Sequence, residues 1–247
     1  VIGNKINPRV IIFDLGTSSL QLLDKDRGFS FNSKNNLDME MGLNNLSAYD
    51  VINTFDKKDL ATIIKVLGEE KDGKIIANQI DKYRKNQPIK NSEQLAYIIK
   101  RAKKNYGNYK KNPATQTFQA IRIFVNKELT ELISGLIEAT KILSSNGILV
   151  VVSFHSLEDK IVKNFFNLYS SLKKNPSRYL PLKEITPNLF KIISKKPFIP
   201  SLSELKENIS SRSAKLRYAI RSSNPFIYPE EFKNKFFNYE DLEKGTS

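Results

Sequence analysis

Two short apolar runs constrain this chain more than any other feature. Val10-Ile11-Ile12-Phe13 stops at Asp14-Leu15-Gly16-Thr17-Ser18-Ser19, and Ile148 to Val152 stops at Ser153-Phe154-His155-Ser156. Continuous β-branched and apolar runs bounded by turn residues read as buried parallel strands. Between them the period becomes helical, so the chain is predicted to be an α/β protein. In such sheets ligands sit outside the carboxyl ends of the strands, which is where both polar segments fall. Asp14 either belongs to such a site or caps a turn, as Asp often does.

From Ser47 to Tyr106 the pattern predicts a helical subdomain. Leu60, Ile63, Ile64 and Leu67 close at Gly68, and Ile75, Ile76, Ile80 and Tyr83 stop before Pro88. A third helix starts at Asn91-Ser92. Asn112-Pro113 then opens one long helix that runs to Asn146-Gly147. Ser156 and Asp159 have the spacing of a capping arrangement for the helix after the second strand. Residues 24–46 read as a long loop, with Arg27, Phe29 and Phe31 placed either to stack on a base or to pin the loop to the core. Residues 170–211 read as irregular surface structure, 211–220 as a late cationic strand, and 223–247 as a tail.

Lys and Arg exceed Asp and Glu by 14, with a pI near 9.7, which points to a polyanionic partner, nucleic acid first. The same balance also suits a solvated Lys-rich surface. No stretch approaches the length of a spanning helix, so no membrane partner is expected. The chain has no Cys and one His, which excludes disulfides, thiolate zinc sites and most zinc-hydrolase arrangements, and no metal is expected. Ser, His and Asp crowd into one local segment without a G-x-S-x-G elbow, so a serine hydrolase is set aside. There is no Walker P-loop. The first ten residues do not read as a secretory signal.

Asp14 to Gln21, the Arg27-Gly28-Phe29-Ser30-Phe31 loop, Leu37-Asp38-Met39, Gly68-Glu69-Glu70, Pro113-Ala114-Thr115, Thr117 to Arg122, Ser153 to Asp159 and Arg212 to Arg217 occur in order along the chain. Together they closely resemble the bacterial ribosomal RNA small-subunit methyltransferase H family, also called MraW, over residues 9–222. The resemblance implies a class I S-adenosylmethionine-dependent methyltransferase fold, Rossmann-like, with a helical insertion subdomain. It divides the chain into a methyltransferase domain of 1–36 and 112–222, an insertion of 37–111 and a tail of 223–247.

By the same resemblance the activity is cytosine N4 methylation in the decoding region of 16S ribosomal RNA. The cofactor is S-adenosyl-L-methionine, the partner is the small ribosomal subunit and the location is the cytoplasm. Asp14 and Gln21 match the family's cofactor-binding Asp and Gln. Arg27, Phe29, Phe31, Ser153, His155 and Ser156 are substrate-binding candidates, and no catalytic group is assigned. The family places a Gly-rich cofactor loop and an acidic ribose-binding residue upstream of Val1, so the chain is expected to be N-terminally incomplete, with reduced cofactor affinity. The alternative is a truncated, non-catalytic relative that binds ribosomal RNA or a pre-ribosomal particle. Asn112 and Gln116 stand where the family pattern has His and Arg.

Overall fold

Strand β1 (Val10–Asp14) lies parallel to β2 (Ile148–Ser153), with Val10 opposite Ile148 and Asp14 opposite Val152. This is a computed structural model, and it describes residues 7–18, 20–21, 24–42, 46–103, 112–170 and 188–245. The chain forms two compact units. One holds residues 1–16 and 131–237, the other 17–130 and 238–247. These divisions differ from boundaries at 36 and 111, because α5 (Thr115–Asn126) packs on α2 (Lys57–Leu67) and so joins the helical unit.

In the first unit the sheet order is β1-β2-β4-β3, with β4 (Lys215–Arg221) antiparallel to β2, and β3 (Phe190–Ile192) antiparallel to β4. The late strand is thus present, and β3 lies in a stretch that reads as irregular. Leu149, Val151 and Ala219 share one buried face. On the other face Val10 and Ile12 are 52% and 66% exposed, so β1 is covered on one side only, in contrast to the buried strand its apolar run predicts. Phe13 faces α6 (Glu128–Ile142), where a side chain at Gly135 would come within 3.1 Å of its ring; glycine there lets the helix approach the strand.

Helix α7 (Ser156–Leu168) lays Phe165 into an aromatic cluster with Phe166, Tyr169, Phe190 and Phe232, at centroid separations of 4.8 to 6.0 Å. Phe232 opens the buried stripe of α9 (Glu230–Glu243), so the segment 223–247 contains a packed helix where a tail is expected. Buried rings of this size each contribute about 1.5–3 kcal/mol.

The second unit is built from α1 (Ala48–Thr54), α2, α3 (Gly73–Arg84), α4 (Ser92–Ala102) and α5. Ser47 and Asp50 make a reciprocal capping box, and Asn91 caps α4 through Gln94 N–H. The helix predicted over 112–146 is two helices. Lys127 sits in the left-handed region (φ 50°), between α5 and α6. Asn126 holds the break: its amide donates to Met39 O and its Oδ1 accepts from Met41 N, at 2.8 and 2.7 Å. Among the described residues no helix is long and apolar enough to cross a membrane. The short helix α8 (Leu202–Glu207) completes the set described.

Candidate active site

The parallel register sets Asp14 and Ser153 at neighbouring strand ends. Leu15 N–H continues the ladder to Val152 O at 3.1 Å, and the chain then turns at Gly16 (φ 91°) against the Phe154 ring. The left-handed conformation explains the glycine. The Asp14 side chain makes no hydrogen bond or ion pair among the described residues, and the residue is exposed. In the other unit, Gln21 Oε1 accepts from Ser18 N–H (2.8 Å) while Ser18 Oγ accepts from Gln21 N–H. That exchange orients the Gln21 amide and leaves its Nε2 without a hydrogen bond among the described residues.

At the end of β2, Ser153 is buried and its hydroxyl donates to Lys215 O (3.3 Å). The next helix is capped by His155, not by Ser156. His155 Nδ1 accepts from Glu158 N–H (3.4 Å), and Glu158 Oε2 accepts from the N–H groups of Phe154 and His155. The box is shifted by one residue because Glu158, a better third-position partner than Asp, stands three after His155. With Nδ1 accepting, the ring proton resides on Nε2, 3.1 Å from Glu158 Oε1 but misaligned for a hydrogen bond. Ser156 is the exposed first residue of α7.

Asp159, which the sequence reading assigned to the cap, instead ties α7 to β4. It accepts from Arg217 Nε at 2.7 Å and from Lys215 Nζ at 3.1 Å. Burial alone would raise its carboxyl, but Arg217 and Lys215 outweigh burial and hold it below the usual range. A carboxyl lowered on folding lends stability that is complete above its unfolded value, near 4, and is lost as pH falls through the folded value. In urea titrations Asp159→Asn should therefore cost about 1.5 kcal/mol at pH 6 and progressively less toward pH 3. A pH-independent difference would remove the charge from the account.

The Arg27 loop is used in packing. Arg27 donates to Glu40 O (2.9 Å) and lies 5.9 Å from the centroid of the Phe29 ring, which is only 7% exposed. Phe31 meets Phe118 edge-on at 4.8 Å and stays half-buried. A Cβ on Gly28 would stand 2.6 Å from Asn36 O, so only glycine fits this turn. Asp38, in the same loop, has its carboxyl pushed up by burial against the opposing pull of its hydrogen bond with the Glu40 backbone and of Arg27. Asn112 Oδ1 accepts from Ala114 N–H in a local turn, whereas Gln116 donates to Glu69 O at 3.1 Å and ties α5 to the turn after α2. Sequence reasoning missed Glu158 and the pairing of Asp159 with β4; only the three-residue spacing from His155 signals the former.

A parallel strand pair with an acidic first strand end, a capped helix turn at the second and an antiparallel partner beyond it follows the plan of a class I S-adenosylmethionine-dependent methyltransferase. The chain belongs to the MraW methylase family, whose model matches residues 3–222. It is similar to the ribosomal RNA small subunit methyltransferase H of Afipia carboxidovorans, 45% identical over 87% of this chain and 64% of that protein. The proteins of the same name from Oenococcus oeni and a Sulfurihydrogenibium species are each 46% identical, over 84% and 85% of this chain and 67% of theirs. The chain thus spans about two thirds of the length of these relatives, and somewhat less of the first.

Proposed function

We propose that the protein methylates the exocyclic N4 of a cytidine in the decoding region of 16S ribosomal RNA, within the small ribosomal subunit and in the cytoplasm. The observation that carries this reading is the placement of Asp14, whose carboxylate has no hydrogen bond or ion pair among the described residues, beside the Ser153–Ser156 turn at the carboxyl ends of two parallel strands, in a chain of this family. S-adenosylmethionine, when bound, supplies an electrophilic methyl carbon on sulfur. Asp14 would contact it by charge, and Gln21 matches the cofactor-binding Gln of the family, with Nε2 as the donor.

The cytosine amine is conjugated with its ring and is a weak nucleophile. Its lone pair becomes available when its N–H groups are accepted by oxygens fixed in place before the reaction, which also stabilise the positive charge that develops on nitrogen. Asp14 and the backbone carbonyls of the Ser153–Ser156 turn are the acceptors on this edge. His155 holds that turn through its cap, so its part is positioning. A paired, stacked cytosine cannot reach a strand-end pocket, and the base is taken out of its stack.

Disrupting the gene in its source cells and digesting small-subunit RNA to nucleosides for mass spectrometry tests this. N4-methylcytidine should disappear and return on complementation. Its persistence would overturn the assignment, and its absence from the undisturbed cells would favour a non-catalytic RNA-binding role.

A further inference from the structure

Beside β4, a small cleft opens beyond the end of β3, lined by Lys163, Asn167, Ser194, Lys195, Arg217 and Tyr218. Three cations converge on it from three different segments. Arg217 is the built part. Its side chain is 10% exposed, and it is held by Asp159 at Nε and by Lys195 O at Nη1, 3.0 Å away. Lys163 and Lys195 are exposed, and their ammonium groups make no ion pair among the described residues. Among the described residues, the carboxylate paired with the lining is Asp159, which holds both Lys215 and Arg217. The local balance is therefore positive.

Alternation along β4 turns Tyr218 to the opposite face of the sheet from Arg217, and there it stacks on Phe198, with centroids 5.7 Å apart and planes 28° from parallel. Phe198 is pinned to Leu216 by two backbone hydrogen bonds, at 2.8 and 2.9 Å, yet remains 50% exposed. Cations brought from three segments to one cleft are the arrangement that takes a phosphodiester. A purely structural cluster would not leave both lysines in solvent.

We infer that this cleft is a docking site for RNA backbone, with a phosphodiester between Lys163, Lys195 and Arg217. The inference rests on the reading of the protein as acting on ribosomal RNA. It adds a contact, on β4 and α7, that anchors the substrate outside the reacting base.

Binding of the full chain to a fluorescein-labelled single-stranded RNA, followed by anisotropy, tests it. Lys163→Glu with Lys195→Glu should weaken binding about tenfold and reduce the salt slope by about one to two. Lys57→Glu with Lys58→Glu, an equal charge change on exposed residues of α2, should have less than a threefold effect. Phe198→Ala, on the opposite face of the sheet, should have less than a twofold effect. Melting temperature and donor binding by calorimetry should stay unchanged in all three.

Equal weakening by the two charge reversals, or no weakening by either, would overturn the site. Displacement of the RNA by millimolar uridine 5′-monophosphate would assign the cleft to free nucleotides instead. The readout needs no methyl transfer, so failure of the nucleoside test above and failure here are separate results.

Discussion

Lys103→Met should destabilise the protein by about 3–5 kcal/mol, the range for stripping one partner from a buried ion pair. Lys103 and Glu70 pair with side chains 3% and 4% exposed. The ammonium also donates to Pro113 O at 2.7 Å, and Glu70 Oε1 accepts from Asp72 N–H. One pair thus joins the turn after α2, the end of α4 and the approach to α5. Methionine fills the same volume but leaves the carboxylate desolvated with its main cation gone. The double change Glu70→Leu with Lys103→Met removes both charges and should recover most of the loss, because two apolar groups of matching size often replace a buried pair at little cost. Urea denaturation reads both. A single-variant loss below 1 kcal/mol would mean that water reaches Glu70.

Asp14→Ala should weaken binding of S-adenosylmethionine about ten- to a hundredfold, matching the 1.5–3 kcal/mol of a hydrogen bond to a charged group. The exposed side chain makes no hydrogen bond or ion pair among the described residues, so circular dichroism and thermal melting should not move. Calorimetric titration of the protein with the donor is the direct measurement. Asp14→Asn separates charge from hydrogen bonding: retention of most affinity would show that the donor is held by acceptance of its N–H and O–H groups. Unchanged affinity in the alanine variant would remove Asp14 from the site and return it to the role of turn residue.

What the sequence made legible follows from where local chemistry decides the structure. Both parallel strands and the helices α2 to α4 could be read because apolar period and termini agree at Asp14, Gly68, Pro88 and Asn91. The division of 112–146 into two helices could not, since a lysine carries no turn signal and the apolar period passes through Lys127 unbroken. What holds that break is Asn126, bonded to Met39 and Met41, more than eighty positions earlier in the chain. Strand β3 spans three residues, too few to show a period.

Phe232, Phe236, Tyr239 and Leu242 did carry a helical spacing, but the acidic, Asn-rich composition around them reads as a tail. At the candidate site, both strand ends were readable from pattern alone. The uses of the side chains were less so, because the His155 cap, the Asp159 bridge and the burial of Phe29 depend on partners that only the fold brings near.

The first turn of α6 gets its acceptor from far away. Glu243 Oε1 and Oε2 accept from Leu129 N–H at 3.2 Å and Thr130 N–H at 2.8 Å, and the Thr130 hydroxyl donates as well. These partners are separated by 113 and 114 residues. During synthesis, therefore, α6 emerges long before the group that completes its N-terminus, and water must serve those donors meanwhile. Closing so long a loop costs entropy that no neighbouring contact repays early, which places this latch among the last events of folding. The helical unit reaches its final stability only when the ribosome has released the segment around residue 243.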